Sequence, residues 1–235
     1  MILRRACFVP GSLFQVSSGR GRKALTRLYS SESPEFSGKF SILDEKVSFQ
    51  RYQTVYERLI RYPNGKRVSF DVFGNPRSDF KSVFVFPYDT RTKTVTLLRE
   101  YIPGINEVMW GFPAGGFDPK KHKSLEDAAR SELSEEAFLT GGSYFPMLES
   151  GGVSQDKYSK NMFHMFLVLN PVEDENPLPR DEEEYIQIVK GVTLPRLQKI
   201  LAQGGMNLPS GFCGYRALDA LSNPTPELAS MLYER

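Results

Sequence analysis

The sequence predicts a mixed α/β domain, and three observations carry that reading. Two pairs of alternating apolar runs are each joined by turn residues, one strongly patterned helix follows, and three further apolar runs lead to a second helix. The composition is that of an ordinary globular domain: 235 residues, 40% apolar, 12% aromatic and 25% charged. Lys+Arg 30 against Asp+Glu 28 leaves a formal net charge of +2, which excludes a strongly basic nucleic-acid module and an acidic disordered chain. No run approaches the ~18 consecutive apolar residues of a membrane-spanning helix, so no membrane partner is expected. Cys7 and Cys213 are too few for a disulfide framework. His122, in a long loop, and His164, inside an apolar run, read as an exposed and a packed histidine, which leaves the chemistry to carboxylates.

The first segment reads as an address. Met1–Ser30 holds six basic residues (Arg4, Arg5, Arg20, Arg22, Lys23, Arg27) and no acid, with Ser and Gly frequent. That composition predicts an organellar transit peptide over residues 1–31, with a mitochondrial destination favoured and a plastid as the alternative. A disordered basic tail is the plainer reading. Cleavage near Tyr29 would leave 24 basic against 28 acidic residues, so the basicity belongs to the leader.

The remaining elements follow in order. Val55–Tyr62 and Lys66–Phe73 alternate around Pro63-Asn64-Gly65, and Asn-Gly between such runs predicts a hairpin. These strands form an N-terminal β-arm within residues 36–78. Ser82–Pro87 and Thr94–Leu98 predict a second hairpin turning through Asp89–Lys93. Ser124–Leu139 is the clearest helix: Ser124 caps it, Asp127 completes a capping box, and Glu126 supports Arg130 at i,i+4. Gly141-Gly142 is expected to stop it. Tyr144–Leu148, Met162–Leu169 and Tyr185–Val189 read as strands, and Leu194–Gln203 as a helix closed by Gly204-Gly205. Asp181–Glu184 reads as a solvated acidic loop, and residues 206–235 as a C-terminal tail.

The chemistry concentrates between Gly111 and Leu139. At about 100° per residue, Glu132 and Glu136 lie about 40° apart and Glu135 about 60° to the other side of Glu132. Three carboxylates in one sector repel, and hard divalent cations such as Mg2+ or Mn2+ would relieve them. A solvated acidic helix face is the bland alternative. Ahead of the helix stands Pro113-Ala114-Gly115-Gly116, where Gly115 and Gly116 allow close approach of a ligand. Ala129 and Leu133 point to the adjoining sector, so one edge of the acidic face abuts the core.

This passage resembles the Nudix hydrolase family, whose box joins a glycine loop to a helix reading Arg-Glu-apolar-x-Glu-Glu-x-Gly-apolar. Here the run is Ser131-Glu132-Leu133-Ser134-Glu135-Glu136-Ala137-Phe138-Leu139. Phe112-Pro113-Ala114-Gly115, Ala128-Ala129 and Leu97-Leu98-Arg99-Glu100-Tyr101 resemble the ADP-ribose and ADP-sugar pyrophosphatase branch. The resemblance covers residues 79–205 and implies the Nudix fold, a mixed β-sheet sandwiched between helices, with the β-arm in front. It also implies a homodimer joined through that arm.

The copy of the box departs from the family at several positions. The box arginine, which orients a catalytic glutamate, is Ser131; the box glycine is Phe138; the early box glutamate falls at Lys123, with Asp118 as a substitute. The branch's glutamate before Pro-Ala-Gly is also missing, with Gly111-Phe112 in its place.

The resemblance implies Mg2+ held by Glu132, Glu135 and Glu136 with the Ala114 carbonyl, Glu135 being counted as catalytic too. A carboxylate outside the box would help to activate water. Asp156 stands first, with Glu183 and Glu184 as further candidates, and a turn-stabilising Asp156 is the alternative. Arg99, Trp110, Gly115 and Gly116 are the expected substrate contacts, although Trp110 also suits a core and Arg99 a solvent-facing strand position. The expected activity is Mg2+-dependent hydrolysis of a nucleoside diphosphate linked to another moiety, ADP-ribose or an ADP-sugar favoured. The alternative is an impaired Nudix-like domain serving as a nucleotide sensor or a structural subunit. A nucleic-acid partner is disfavoured by the acidic charge of the chain without its leader and by the lack of a basic stripe.

Overall fold

The computed structural model describes residues 38–233; the basic leader and the import expectation it carries lie outside them. β1 (Ser41–Gln50), β2 (Thr54–Arg61) and β3 (Arg67–Gly74) form a three-stranded antiparallel arm. The Asn64-Gly65 turn joins β2 to β3, with Gly65 at φ 82° and its amide donating to the Tyr62 carbonyl at 2.9 Å. Residues 158–160 fasten the arm to the domain. The Phe73 amide donates to the Tyr158 carbonyl at 3.0 Å, and the Lys160 amide to the Phe73 carbonyl at 2.7 Å. The Lys160 ammonium lies 4.0 Å from the Tyr56 ring and bonds Glu45, which also accepts from Arg58.

β4 (Lys81–Asp89) and β5 (Thr94–Ile102) are the second expected hairpin, yet they pair only at Tyr88↔Val95 and Asp89↔Thr94. Beyond that point they diverge. β6 (Glu107–Gly111) then pairs with β5, and β7 (Ala114–Gly116) pairs with β4. The predicted glycine loop is therefore a short strand, built into the sheet. After helix α1 (Leu125–Ala137) come β8 (Leu139–Thr140), β9 (Ser143–Pro146) and β10 (Val153–Ser154). β11 (Met162–Leu169) runs parallel to β4, β12 (Val172–Glu173) pairs with β8, and β13 (Ile186–Thr193) runs antiparallel to β5.

Strand periodicity sorts the core into two layers. Phe84, Phe86, Met165 and Leu167 face α2 (Leu194–Ala202), α3 (Leu208–Ser222) and α4 (Pro226–Tyr233). Val83, Val85, Phe166 and Val168 face Ala128, Ala129, Leu133 and Ala137 of α1. This is the mixed sheet between helices that the sequence predicted. Among the described residues no helix is long and apolar enough to cross a membrane.

Two boundaries differ from expectation. α1 ends at Ala137, before the two glycines, because Phe138 turns into the left-handed region at φ 55° and caps it. Residues beyond 205 are not a tail: Cys213 and Ala217 of α3 are fully buried, and Leu228 of α4 joins the same core. Gly211 and Gly214 lower the helix propensity of this stretch and hid it. A Cβ at Gly214 would stand 3.1 Å from Leu201, so that glycine is what allows α3 to pack closely.

Candidate active site

α1 starts at a capping box, the Asp127 amide donating to Ser124 Oγ at 3.0 Å. Asp127 reaches back to the Lys123 amide at 3.0 Å. From that start, 3.6 residues per turn carry Glu132 and Glu136 over β7. Glu136 is 3% exposed, and its Oε2 accepts the Ala114 amide at 2.7 Å. The Glu132 carboxyl lies on Gly115, where an added Cβ would collide with it. The freedom of Gly115 thus admits a glutamate of its own chain to the strand, whereas the sequence suggested approach of a ligand there. Gly116 is exposed, and a Cβ there would stand 3.1 Å from Ser78. We expect Gly115→Ala to cost about 1–3 kcal/mol of stability and to displace Glu132, read together by thermal melting and turnover.

The electrostatics of these carboxyls follow from burial. Glu132 is pushed up to about 8, first by desolvation and then by the charges of Glu135, Glu184 and Asp181. Glu136 is raised well above the ordinary range by burial and by Glu132, with the Ala114 amide opposing. Glu135 is raised by burial and Asp181, and Glu184 by burial, Asp181 and Glu100. Glu100, on β5 beside Gly111, is raised by burial.

Among the described residues, none of these five glutamates takes part in an ion pair. Nor, among the described residues, do three acidic, imidazole or thiol side chains converge as a preformed cage. The donor set still suits a hard divalent cation. It consists of one buried and several half-buried carboxylates that repel one another and, among the described residues, take part in no ion pair, and such an ion would relieve that repulsion.

The other expected site residues divide. Asp156 accepts the amides of Tyr158 at 2.7 Å and Ser159 at 2.9 Å, so it stabilises a turn and is absent from the charges acting on the glutamates. Asp118 likewise holds the Lys120 amide at 2.8 Å. Glu183 is exposed, whereas Glu184 is the outer carboxylate whose charge reaches Glu132 and Glu136. Ala114 meets the site through its amide, at Glu136.

Arg99 and Trp110 are paired across β5 and β6, with the guanidinium 4.8 Å from the indole centre and a second arginine, Arg196, at 5.5 Å. Trp110 is partly buried against the larger core layer, away from the layer that α1 covers. Arg99 alternates with Glu100 along β5, so the two point to opposite faces of the sheet. The structure thus sets the Arg99–Trp110 pair apart from the glutamates. His164 is packed: its Nδ1 bonds the Gly151 carbonyl, and its Nε2 is buried with no hydrogen-bond partner among the described residues.

Sequence reasoning missed Glu100 and Arg180. Arg180 donates to the Glu136 carbonyl at 3.0 Å and to the Ile186 carbonyl at 3.2 Å. Glu100 stands directly after Arg99 on β5, and strand alternation, which sends the two charges to opposite faces, is the signal that would have found it. Arg180 carries no comparable signal, since its partners are backbone atoms brought near only by folding.

A mixed sheet thus packs a carboxylate-bearing helix against a glycine strand. The model of the NUDIX domain matches residues 79–205, and the chain belongs to the Nudix family of pyrophosphohydrolases. No curated protein matches by sequence. Among solved structures, that of an ADP compounds hydrolase is similar at a TM-score of 0.67 and 21% identity, covering 82% of this chain and 98% of that one.

Proposed function

We propose that the protein is a Mg2+-dependent hydrolase, with Mn2+ as an alternative ion, of the diphosphate in a nucleoside diphosphate linked to another moiety, ADP-ribose or an ADP-sugar favoured. The observation that carries this reading is the placement of half-buried Glu132 on Gly115 and of buried Glu136 on the Ala114 amide, neither in an ion pair among the described residues. The similar ADP compounds hydrolase supports the substrate class.

Glu132, Glu135 and Glu136 would hold the ion. Such an ion supplies charge neutralisation for the diphosphate and acidifies water. Glu184 is assigned the proton of the attacking water, since burial and the charges of Asp181 and Glu100 raise its carboxyl and so make it the stronger base. Asp156 stands second for that role, since its Oδ1 accepts two amides of its own turn.

The test is turnover of ADP-ribose, ADP-glucose, NADH, dinucleoside polyphosphates and oxidised nucleotides with Mg2+ and with Mn2+. No hydrolysis, together with a melting temperature indifferent to Mg2+, would overturn the enzyme reading and leave the alternative of an impaired sensor or structural subunit.

The arm supports a homodimer. β1 is an edge strand, and Ile42, Val47 and Phe49 on it are exposed by 59%, 56% and 58%. Light scattering at micromolar concentration is expected to give twice the chain mass, and Val47→Glu/Phe49→Glu to give a monomer. The acid-free leader supports import into a mitochondrion; a reporter fused to residues 1–31 that stays diffuse would refute it.

A further inference from the structure

We propose that Arg180, stacked on Phe138, is the positioning residue that holds Glu184 beside Glu132 and Glu136. This rests on the reading of the glutamates given above. It replaces the box arginine, which is Ser131 here, by a cation from a different segment of the chain.

The guanidinium spans two elements. It donates to the Glu136 carbonyl near the end of α1 at 3.0 Å and to the Ile186 carbonyl at the start of β13 at 3.2 Å. Its centre lies 4.9 Å from the Phe138 ring, and its Nε is buried with no hydrogen-bond partner among the described residues. The two carbonyls and the ring therefore hold it in place. Only a planar fork reaches both carbonyls while lying on an aromatic face; an ammonium on a flexible stem does not.

Arg180 and Ile186 bracket the acidic turn, which closes through the Glu184 amide and the Asp181 carbonyl at 3.1 Å. The approach to this turn is laced to α1 as well. Ser134 Oγ donates to Asp174 at 2.7 Å and accepts the Leu178 amide at 3.0 Å. The Asp174 amide donates to the Phe138 carbonyl at 3.0 Å. Residues 174–186 thus form a strap across the last turn of the helix, and Glu184 rides on it.

This arrangement gives a reason for Phe138. The residue holds φ 55°, a conformation that glycine adopts freely and an aromatic residue adopts at a cost. Glycine would remove the ring on which Arg180 lies. The family's glycine and its box arginine are absent together here, and one stacked pair accounts for both.

The test compares Phe138→Gly, Arg180→Met, Arg180→Lys and the Phe138→Gly/Arg180→Met double variant with the full wild-type chain, by kinetics and by hydrogen exchange. Phe138→Gly restores the family's residue and relieves backbone strain, so its melting temperature should not fall. Its kcat is nevertheless expected to drop about 10- to 100-fold with KM nearly unchanged, as for a misplaced catalytic group. Arg180→Met should match it, Arg180→Lys should fail to rescue, and the double variant should be no worse than Arg180→Met alone. Amides of residues 181–186 should exchange faster in every variant, with or without substrate.

Wild-type kcat in Phe138→Gly, or strictly additive losses, would overturn the proposal. If the wild type hydrolyses none of the substrates, the functional reading fails, and exchange alone then decides this inference. Unchanged protection of residues 181–186 overturns it, and lost protection supports it.

Discussion

Glu136→Gln is expected to lower metal-dependent turnover by roughly 10²- to 10⁴-fold, because charge stabilisation through a bound ion is worth several kcal/mol. The same change should stabilise the apo protein. Glu136 is 3% exposed and faces the Glu132 charge, so its ionised form is disfavoured in the fold. The Gln carboxamide keeps the size and helix propensity, and its oxygen can still accept the Ala114 amide that now bonds Oε2 at 2.7 Å. Loss of rate with gain of melting temperature separates this residue from a structural one, whose removal would lower both. Full turnover in Glu136→Gln would show that hydrolysis occurs elsewhere.

The second large effect is in the pH dependence of stability. A carboxyl raised on folding binds its proton more tightly in the native state. The native chain therefore holds more protons than the unfolded one between the ordinary value of 4.5 and the Glu132 value of about 8. Stability fully present below about 4.5 is lost as pH rises through about 8, and Glu136 acts in the same direction. In chelator, the melting temperature should fall over this window by the equivalent of a few kcal/mol. Added Mg2+ should stabilise the protein at pH 8 far more than at pH 5, since it competes with protons for the same oxygens. Glu132→Gln should flatten the chelator profile. A flat wild-type profile would mean that the glutamates are solvated and paired with nothing.

Much of the fold was legible. Asn64-Gly65 demanded a left-handed turn, and the apolar alternation on either side of it required two strands. The capping box at Ser124 and Asp127 set the start of α1 to within one residue, because both groups act over less than one helical turn. The end of α1 was not legible. Phe138 has a poor intrinsic preference for the left-handed region, yet its amide closes the helix on the Leu133 and Ser134 carbonyls, and its ring meets a guanidinium 42 positions further along the chain.

The candidate site divides along the same line. Glu132, Glu135 and Glu136 were readable because helical periodicity is a local property and places them in one sector. The sequence left Asp156 between two readings because a Gly-rich loop ending in an acid looks the same whether the acid faces a cluster or closes its own turn, and the structure shows the turn. Glu100, Arg180 and Glu184 enter the site from two other segments, Glu100 through sheet register and the other two on a strap laid over a helix end.

By itself, then, the sequence determined what short-range geometry dictates: the hairpins, the start of the helix, the shared face of three carboxylates and, through its box, the family. Only the tertiary structure decided which carboxylates are buried, that Gly115 makes room for Glu132, and that Arg180 and Phe138 stand together. Burial and pairing depend on which distant segments exclude water from a side chain. No local pattern encodes that exclusion.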